Sequence, residues 1–257
     1  MSPARRLMFL CLALAAVVLV VGIAVPRLLR ADATVVAVPQ DQPGTVVLVP
    51  GYGGSTASLQ VLARELAQDG RDAVVVDLPG DGTGDLRESA AALDGVVAAA
   101  IGAGARSVDV VGYSAGGVTA RYWLRELGGA ALTRRVITLG SPSHGTGLAR
   151  QGAVLGGAVC PTACQQLVPG SDLLDDLNRG DETPDGPVYL ALWTDQDETV
   201  TPPDSARLEG AVALSVQDVC PGRVVSHGDL PRDRAVSALV RAALGTAALE
   251  VPSGCPV

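Results

Sequence analysis

The sequence predicts an α/β fold: a mostly parallel central sheet with helices on both faces, in a single domain after an N-terminal hydrophobic helix. Three observations carry this expectation. Short apolar, β-branched runs alternate with Ala- and Leu-rich stretches of helical character, the pattern of βαβ units. The runs lack polar alternation, as strands buried on both faces do. The length of 257 residues suits one domain with a full core.

Leu7 to Val25 is an uninterrupted apolar run, long enough at about 1.5 Å per residue to cross a hydrocarbon layer of about 30 Å. Arg5 and Arg6 ahead of it are expected to keep the N-terminus cytoplasmic. Residues 1–30 therefore read as a signal anchor or a signal peptide. The run is longer than a usual signal core and no small-x-small site follows it closely, which favours the anchor. Either way residues 31–257 are exported, tethered at the membrane by residues 7–25 or secreted after cleavage.

Thr45 to Val49 is the first expected strand. It ends in Pro50-Gly51-Tyr52-Gly53-Gly54, after which Ser55 or Thr56 can cap a helix reaching about Gln68. Ala73 to Asp77 is a second strand, and Leu86 to about Ile101 a helix. The strand Ser107 to Val111 leads through a sharp turn at Ser114 into a helix from Val118 to Leu127. Arg135 to Leu139, Val188 to Trp193 and Ala211 to Val216 are the later strands, and about Asp233 to Leu244 the last helix. From Ser141 to Pro187 the pattern is irregular. A connection this long is expected to be a lid or pocket wall, or else a surface loop pinned by its cysteines.

Composition narrows the partners. Apolar residues make up 48% of the chain and aromatics 3%, so Val, Leu and Ala must fill the core, and any substrate pocket should be aliphatic. Arg5, Arg6, Arg27 and Arg30 precede every acidic residue, leaving 15 basic against 27 acidic side chains beyond them, a formal −12. Such a body repels phosphates and excludes a nucleic-acid partner. Cys11 lies in the apolar run, while Cys160, Cys164, Cys220 and Cys255 lie in the exported body. Two disulfides are expected there; proximity suggests Cys160 with Cys164 and Cys220 with Cys255, among three possible pairings. The spacings lack the paired C-x-x-C of structural zinc sites.

Gly112-Tyr113-Ser114-Ala115-Gly116 fits G-x-S-x-G between a strand and a helix, where small flanking residues let a strained turn push the serine hydroxyl clear of the sheet. A serine hydroxyl needs a base, and the chain has two histidines, His144 and His227. His227 follows the last strand and is the better placed to reach Ser114; His144 follows an earlier strand and is expected to line the pocket or to bond within its loop. An acid must orient the imidazole. Asp195 and Asp197 compete, with Asp197 preferred for its Asp-x-x-Val-x-Pro context ending at Pro202. Oxyanion amides are expected from Ala115, at the helix start, and from Tyr52 in the first Gly-rich loop. That loop lacks the Lys of a P-loop and the spacing of a dinucleotide fingerprint, so no nucleotide cofactor is expected.

Together these motifs, with Thr138-Leu139-Gly140-Ser141-Pro142-Ser143-His144-Gly145-Thr146, resemble the small bacterial lipases of the α/β-hydrolase superfamily, especially the secreted actinobacterial-type triacylglycerol lipases and esterases. The resemblance spans about Val46 to Leu244. It implies an α/β-hydrolase fold and cleavage of carboxylic esters, with Ser114 as nucleophile, Asp197 as acid, His227 as base and the Tyr52 and Ala115 amides as the oxyanion hole. It implies a monomer acting on lipid or small ester substrates, with no metal and no organic cofactor. The chain departs from the family pattern at Pro50, where many relatives carry His, and in the segment around Cys160. Two other readings use the same residues: an envelope acyltransferase with an alcohol as acceptor, and a catalytically silent protein that binds lipid or a partner.

Overall fold

Val, Leu and Ile dominate six strands, β1 (Thr45–Val49), β2 (Ala73–Val75), β3 (Val108–Tyr113), β4 (Thr133–Leu139), β5 (Val188–Trp193) and β6 (Val212–Ser215). In this computed structural model they form one parallel sheet in the order β2-β1-β3-β4-β5-β6. The structure describes Arg5 and residues 35–157 and 159–256. The expected anchor, Leu7 to Val25, with Cys11, lies outside them. Among the described residues no helix is long and apolar enough to cross a membrane.

The helices are α1 (Ala57–Gln68), α2 (Leu86–Gly102), α3 (Ala115–Glu126), α4 (Gly147–Leu155), α5 (Thr162–Gln166), α6 (Asp172–Leu177), α7 (Val216–Val219) and α8 (Arg234–Ala243). Alternate strand residues face opposite ways. Val46 and Leu48 of β1, with Val111, Ile137 and Leu139, pack against Leu59, Leu62 and Leu66 of α1 and Val236, Leu239 and Val240 of α8. Burial of each such side chain contributes about 1.5–3 kcal/mol. A second apolar cluster joins Leu86 of α2 and Val118 of α3 to Ala149, Ala163, Leu167, Leu173, Leu174 and Leu177. The segment between β4 and β5 is thus a small cap fastened over α2 and α3.

The boundaries depart from expectation where side chains carry no pattern. Helix α3 begins at Ala115 rather than Val118, because Ala115-Gly116-Gly117 has no large apolar residue to mark a face. The second strand stops at Val75, short of Asp77. Thr56 precedes α1 but makes no side-chain cap bond. Asp85 and Asp233, by contrast, accept amide hydrogens at the starts of α2 and α8. The stretch from Ser141 to Pro187 holds three short helices, α4 to α6, too brief for an apolar stripe to repeat.

The two ends of β3 have different roles. At its carboxyl end, strand order reverses between β1 and β3, and open α/β sheets bind ligands in the crevice outside the carboxyl ends at such a point. Thr45 to Val49 pairs with Val108 to Gly112, so both strands end level there. At the other end of β3, buried Asp109 accepts from Arg71 and Arg134, each at 2.6 Å, and both arginines donate to Leu244 O just past α8. Cations at a helix C-terminus complement its free carbonyls, and this cluster fastens α8 to the sheet. Disulfides join Cys160 to Cys164 in the cap and Cys220 to Cys255 at the tail. Such bonds persist in oxidising compartments, which points to an extracellular protein.

Candidate active site

Ser114 stands between β3 and α3 at φ 53° and ψ −128°, and is the sole non-glycine with positive φ among the described residues. A side chain is held in this sparsely populated region only when its surroundings over-determine it. Here they do: the Ser114 amide donates to Leu139 O at 2.8 Å, and the flanking backbone is pressed against β1. A Cβ at Gly116 would fall 2.2 Å from Val49 O, and one at Gly51 would fall 2.9 Å from Ser114 Cβ. Both places admit only glycine, and the turn lifts the hydroxyl above the sheet.

Ser114 Oγ lies 3.0 Å from His227 Nε2, and His227 Nδ1 lies 2.7 Å from Asp197 Oδ2. All three residues are buried. Asp197 follows β5, and its other oxygen accepts from the amides of Thr199 at 2.9 Å and Val200 at 2.7 Å. His227 opens a short 3-10 turn, His227–Asp229, between α7 and α8. Asp195 points elsewhere, accepting from Ser215 Oγ at 3.1 Å. With the imidazole proton on Nδ1, this arrangement can take a proton from the serine hydroxyl on Nε2 and stabilise the resulting cation with a carboxylate.

Tyr52 lies on the loop after β1, next to Gly51, which packs against Ser114, and Ala115 is the first residue of α3. Among the described residues neither main-chain N–H has an acceptor within the protein, leaving both available to an oxygen developing negative charge. Among the same residues no group of three His, Cys, Asp or Glu side chains is arranged to hold a metal ion.

A cavity of about 360 Å³ opens at Ser114, lined by Tyr52, Leu148, Leu155, Leu167 and Val200 among others. Helix α4 forms one wall, and α4 buries only Ala149. Leu148, Leu155, Val159 and Tyr52, all lining the cavity, are exposed. Arg121 of α3 ties down the base of the cap, donating to Leu177 O and Asn178 Oδ1. Burial lowers the Arg121 pKa to about 10, still charged at neutral pH. A larger cleft, of about 780 Å³, is lined by His144, Glu182 and Arg207 but includes none of the Ser114, His227 and Asp197 group. His144 faces it, 2.7 Å from Glu182 Oε1 and 3.3 Å from Ser205 O. It does not line the cavity at Ser114.

Three contributors carry no signal in the sequence that marks their role. Gly140, at φ 54°, backs the acid–imidazole pair: a Cβ there would lie 3.1 Å from both Asp197 Oδ2 and His227 Nδ1. Tyr113 donates its hydroxyl to His227 O at 3.2 Å, and the two rings lie 5.2 Å apart. Burial, helped by the charges of Asp197 and Glu198, pushes its phenol up to about 12, so it remains a donor. Glu198 accepts from the His227 amide. Gly140 and Tyr113 lie inside the motifs around Ser114 and His144, but only their neighbours carry recognisable chemistry.

A model of the alpha/beta hydrolase family matches residues 46–254. Among solved structures, the chain is similar to mature Bacillus licheniformis lipase BlEst2 at 20% identity and a TM-score of 0.66, covering 83% of this chain and 96% of that one. It is similar to Aspergillus fumigatus lipase B at 19% identity and a TM-score of 0.64, covering 79% of this chain and about half, 52%, of that one. A lipase-esterase related protein of Clostridium acetobutylicum aligns at 12% identity and a TM-score of 0.56, over 80% and 97%. No curated protein matches the sequence. At such identities the structural likeness speaks for the fold, and with the family match over most of its length, the chain belongs to the alpha/beta hydrolase family.

Proposed function

We propose that the protein is a serine hydrolase of lipase or esterase type that cleaves carboxylic esters through an acyl-enzyme on Ser114. The observation that carries this reading is the bonded series Ser114 Oγ, His227 and Asp197, whose serine lines a mostly apolar cavity. Ser114 Oγ bonds to the ester carbonyl carbon while its proton passes to His227 Nε2, and Asp197 steadies the imidazolium. The amides of Tyr52 and Ala115 stabilise the oxyanion. Collapse breaks the bond to the alcohol oxygen, which takes the proton from His227. Water then attacks the acyl carbon and gives a proton to His227; collapse breaks the acyl carbon–Oγ bond, His227 returns the proton to Ser114 Oγ, and the carboxylic acid leaves.

An apolar ester of lipid type fits the surroundings. The cavity lining is mostly apolar, and no acidic residue occurs between Glu126 and Asp172, the stretch that includes α4 and α5 of the cap, in a chain otherwise rich in carboxylates. Exposed apolar surface around a pocket mouth suits contact with lipid. Membership of the small secreted, actinobacterial-type lipases belongs to the same proposal, as does action outside the cytoplasm, either tethered by residues 7–25 or released.

The test uses the purified full-length protein with p-nitrophenyl esters of increasing acyl length and a fluorophosphonate probe. Turnover and labelling at Ser114 are expected, both abolished in Ser114→Ala with the fold retained. Ester turnover that survives Ser114→Ala would overturn the reading.

A further inference from the structure

The loop carrying Asp197 grips the loop carrying His227 by more than the carboxylate–imidazole bond. Thr194 Oγ1 donates to Val225 O at 2.8 Å, Gln196 Oε1 accepts from Val225 N at 3.0 Å, and Glu198 Oε2 accepts from His227 N at 3.1 Å. From the opposite side the Tyr113 hydroxyl donates to His227 O. Both main-chain polar groups of His227 therefore have side-chain partners, from two different elements.

This matters because of where His227 sits. Its residue opens a three-residue 3-10 turn, so no strand ladder or long helix fixes its Cα. The imidazole must nonetheless bridge two partners at 3.0 and 2.7 Å. A misplacement of about 1 Å can cost about 100-fold in rate.

We propose that Glu198 is a positioning residue for His227: its carboxylate, by holding the His227 N–H, sets the imidazole at the height needed to reach Ser114 and Asp197 together. This rests on the serine-hydrolase reading above. The other charged and titratable groups in the neighbourhood are Asp197, the Tyr113 phenol, and, on the histidine's own turn, Asp229 with Arg232. Asp229 is held by Ser226 and Arg232, and Asp195 faces Ser215.

The experiment compares full-length wild type, Glu198→Gln, Glu198→Ala and Ser114→Ala, measuring kcat and KM for p-nitrophenyl butyrate. The amide oxygen of Gln can accept the same N–H without the charge. Glu198→Ala is expected to lose about tenfold in kcat with KM within about twofold, and Glu198→Gln to recover to within about threefold of wild type. A Glu198→Ala enzyme with wild-type kcat, or a Gln variant as impaired as Ala, overturns the assignment. Activity persisting in Ser114→Ala would instead defeat the hydrolase reading itself, so the two failures are separable.

Discussion

Replacing Asp197 by Asn changes one atom yet should cost about four orders of magnitude in kcat. The structure shows why the amide has no good orientation. Asp197 Oδ1 already accepts from Thr199 N and Val200 N, and Oδ2 accepts from His227 Nδ1. If the Asn oxygen keeps the two amides, its NH2 faces Nδ1 and donates to it. The ring proton then moves to Nε2, which points at Ser114 Oγ and can no longer accept the hydroxyl proton. If the Asn flips, its NH2 faces two amide hydrogens and leaves both unpaired, costing about 1–3 kcal/mol each. The first orientation therefore wins and fixes the wrong tautomer, a change worth about 10⁴ in rate, or about 5 kcal/mol of transition-state stabilisation. Initial rates on p-nitrophenyl butyrate, with circular dichroism to verify the fold, measure this directly. A variant within tenfold of wild type, or equal damage from Asp195→Asn, would refute the reasoning.

Two further substitutions probe the scaffold. Gly140→Ala places a Cβ at φ 54° and 2.6 Å from Leu230 Cδ1; a loss of about 1–3 kcal/mol is expected in urea unfolding, together with reduced kcat, since the same Cβ crowds Asp197 and His227. Asp109→Ala strips the fully buried Arg134 of its carboxylate while Arg71, partly exposed, can turn to water, and a loss of about 3–5 kcal/mol is expected in thermal or urea denaturation, with kcat of the remaining folded protein unchanged because the cluster lies at the far end of β3.

The sheet was legible because buried parallel strands are nearly uniform runs of Val, Leu and Ile, and Val188–Trp193 is placed to the residue. The chemistry-bearing loops were legible for a related reason: they follow those runs at the carboxyl edge, where Ser114, Asp197 and His227 now stand together. Illegible were α4 to α6, whose segments are too short for helical periodicity, and the start of α3, written in glycine and alanine. Contacts from side chain to main chain were beyond reach as well. Nothing in Thr194-Asp195-Gln196-Asp197-Glu198 says that alternate residues reach across to Val225 and His227, because that depends on how two loops distant in sequence meet. Nor does spacing say which of Asp195 and Asp197 turns inward.

The two halves of the site are built to different stiffness. Ser114 is locked by backbone contacts that tolerate only glycine at positions 51 and 116, and His227 and Asp197 are each held by several hydrogen bonds. Helix α4, the wall of the cavity, buries Ala149 alone, rests through Gly152 against the Cys160–Cys164 bridge, and leaves Leu148, Val154 and Leu155 exposed. Elements with so little buried surface open at low free-energy cost. If the chain acts as proposed, the proton relay keeps one geometry while the α4 wall can yield to acyl chains of different length, with the disulfide against α4 as its brace.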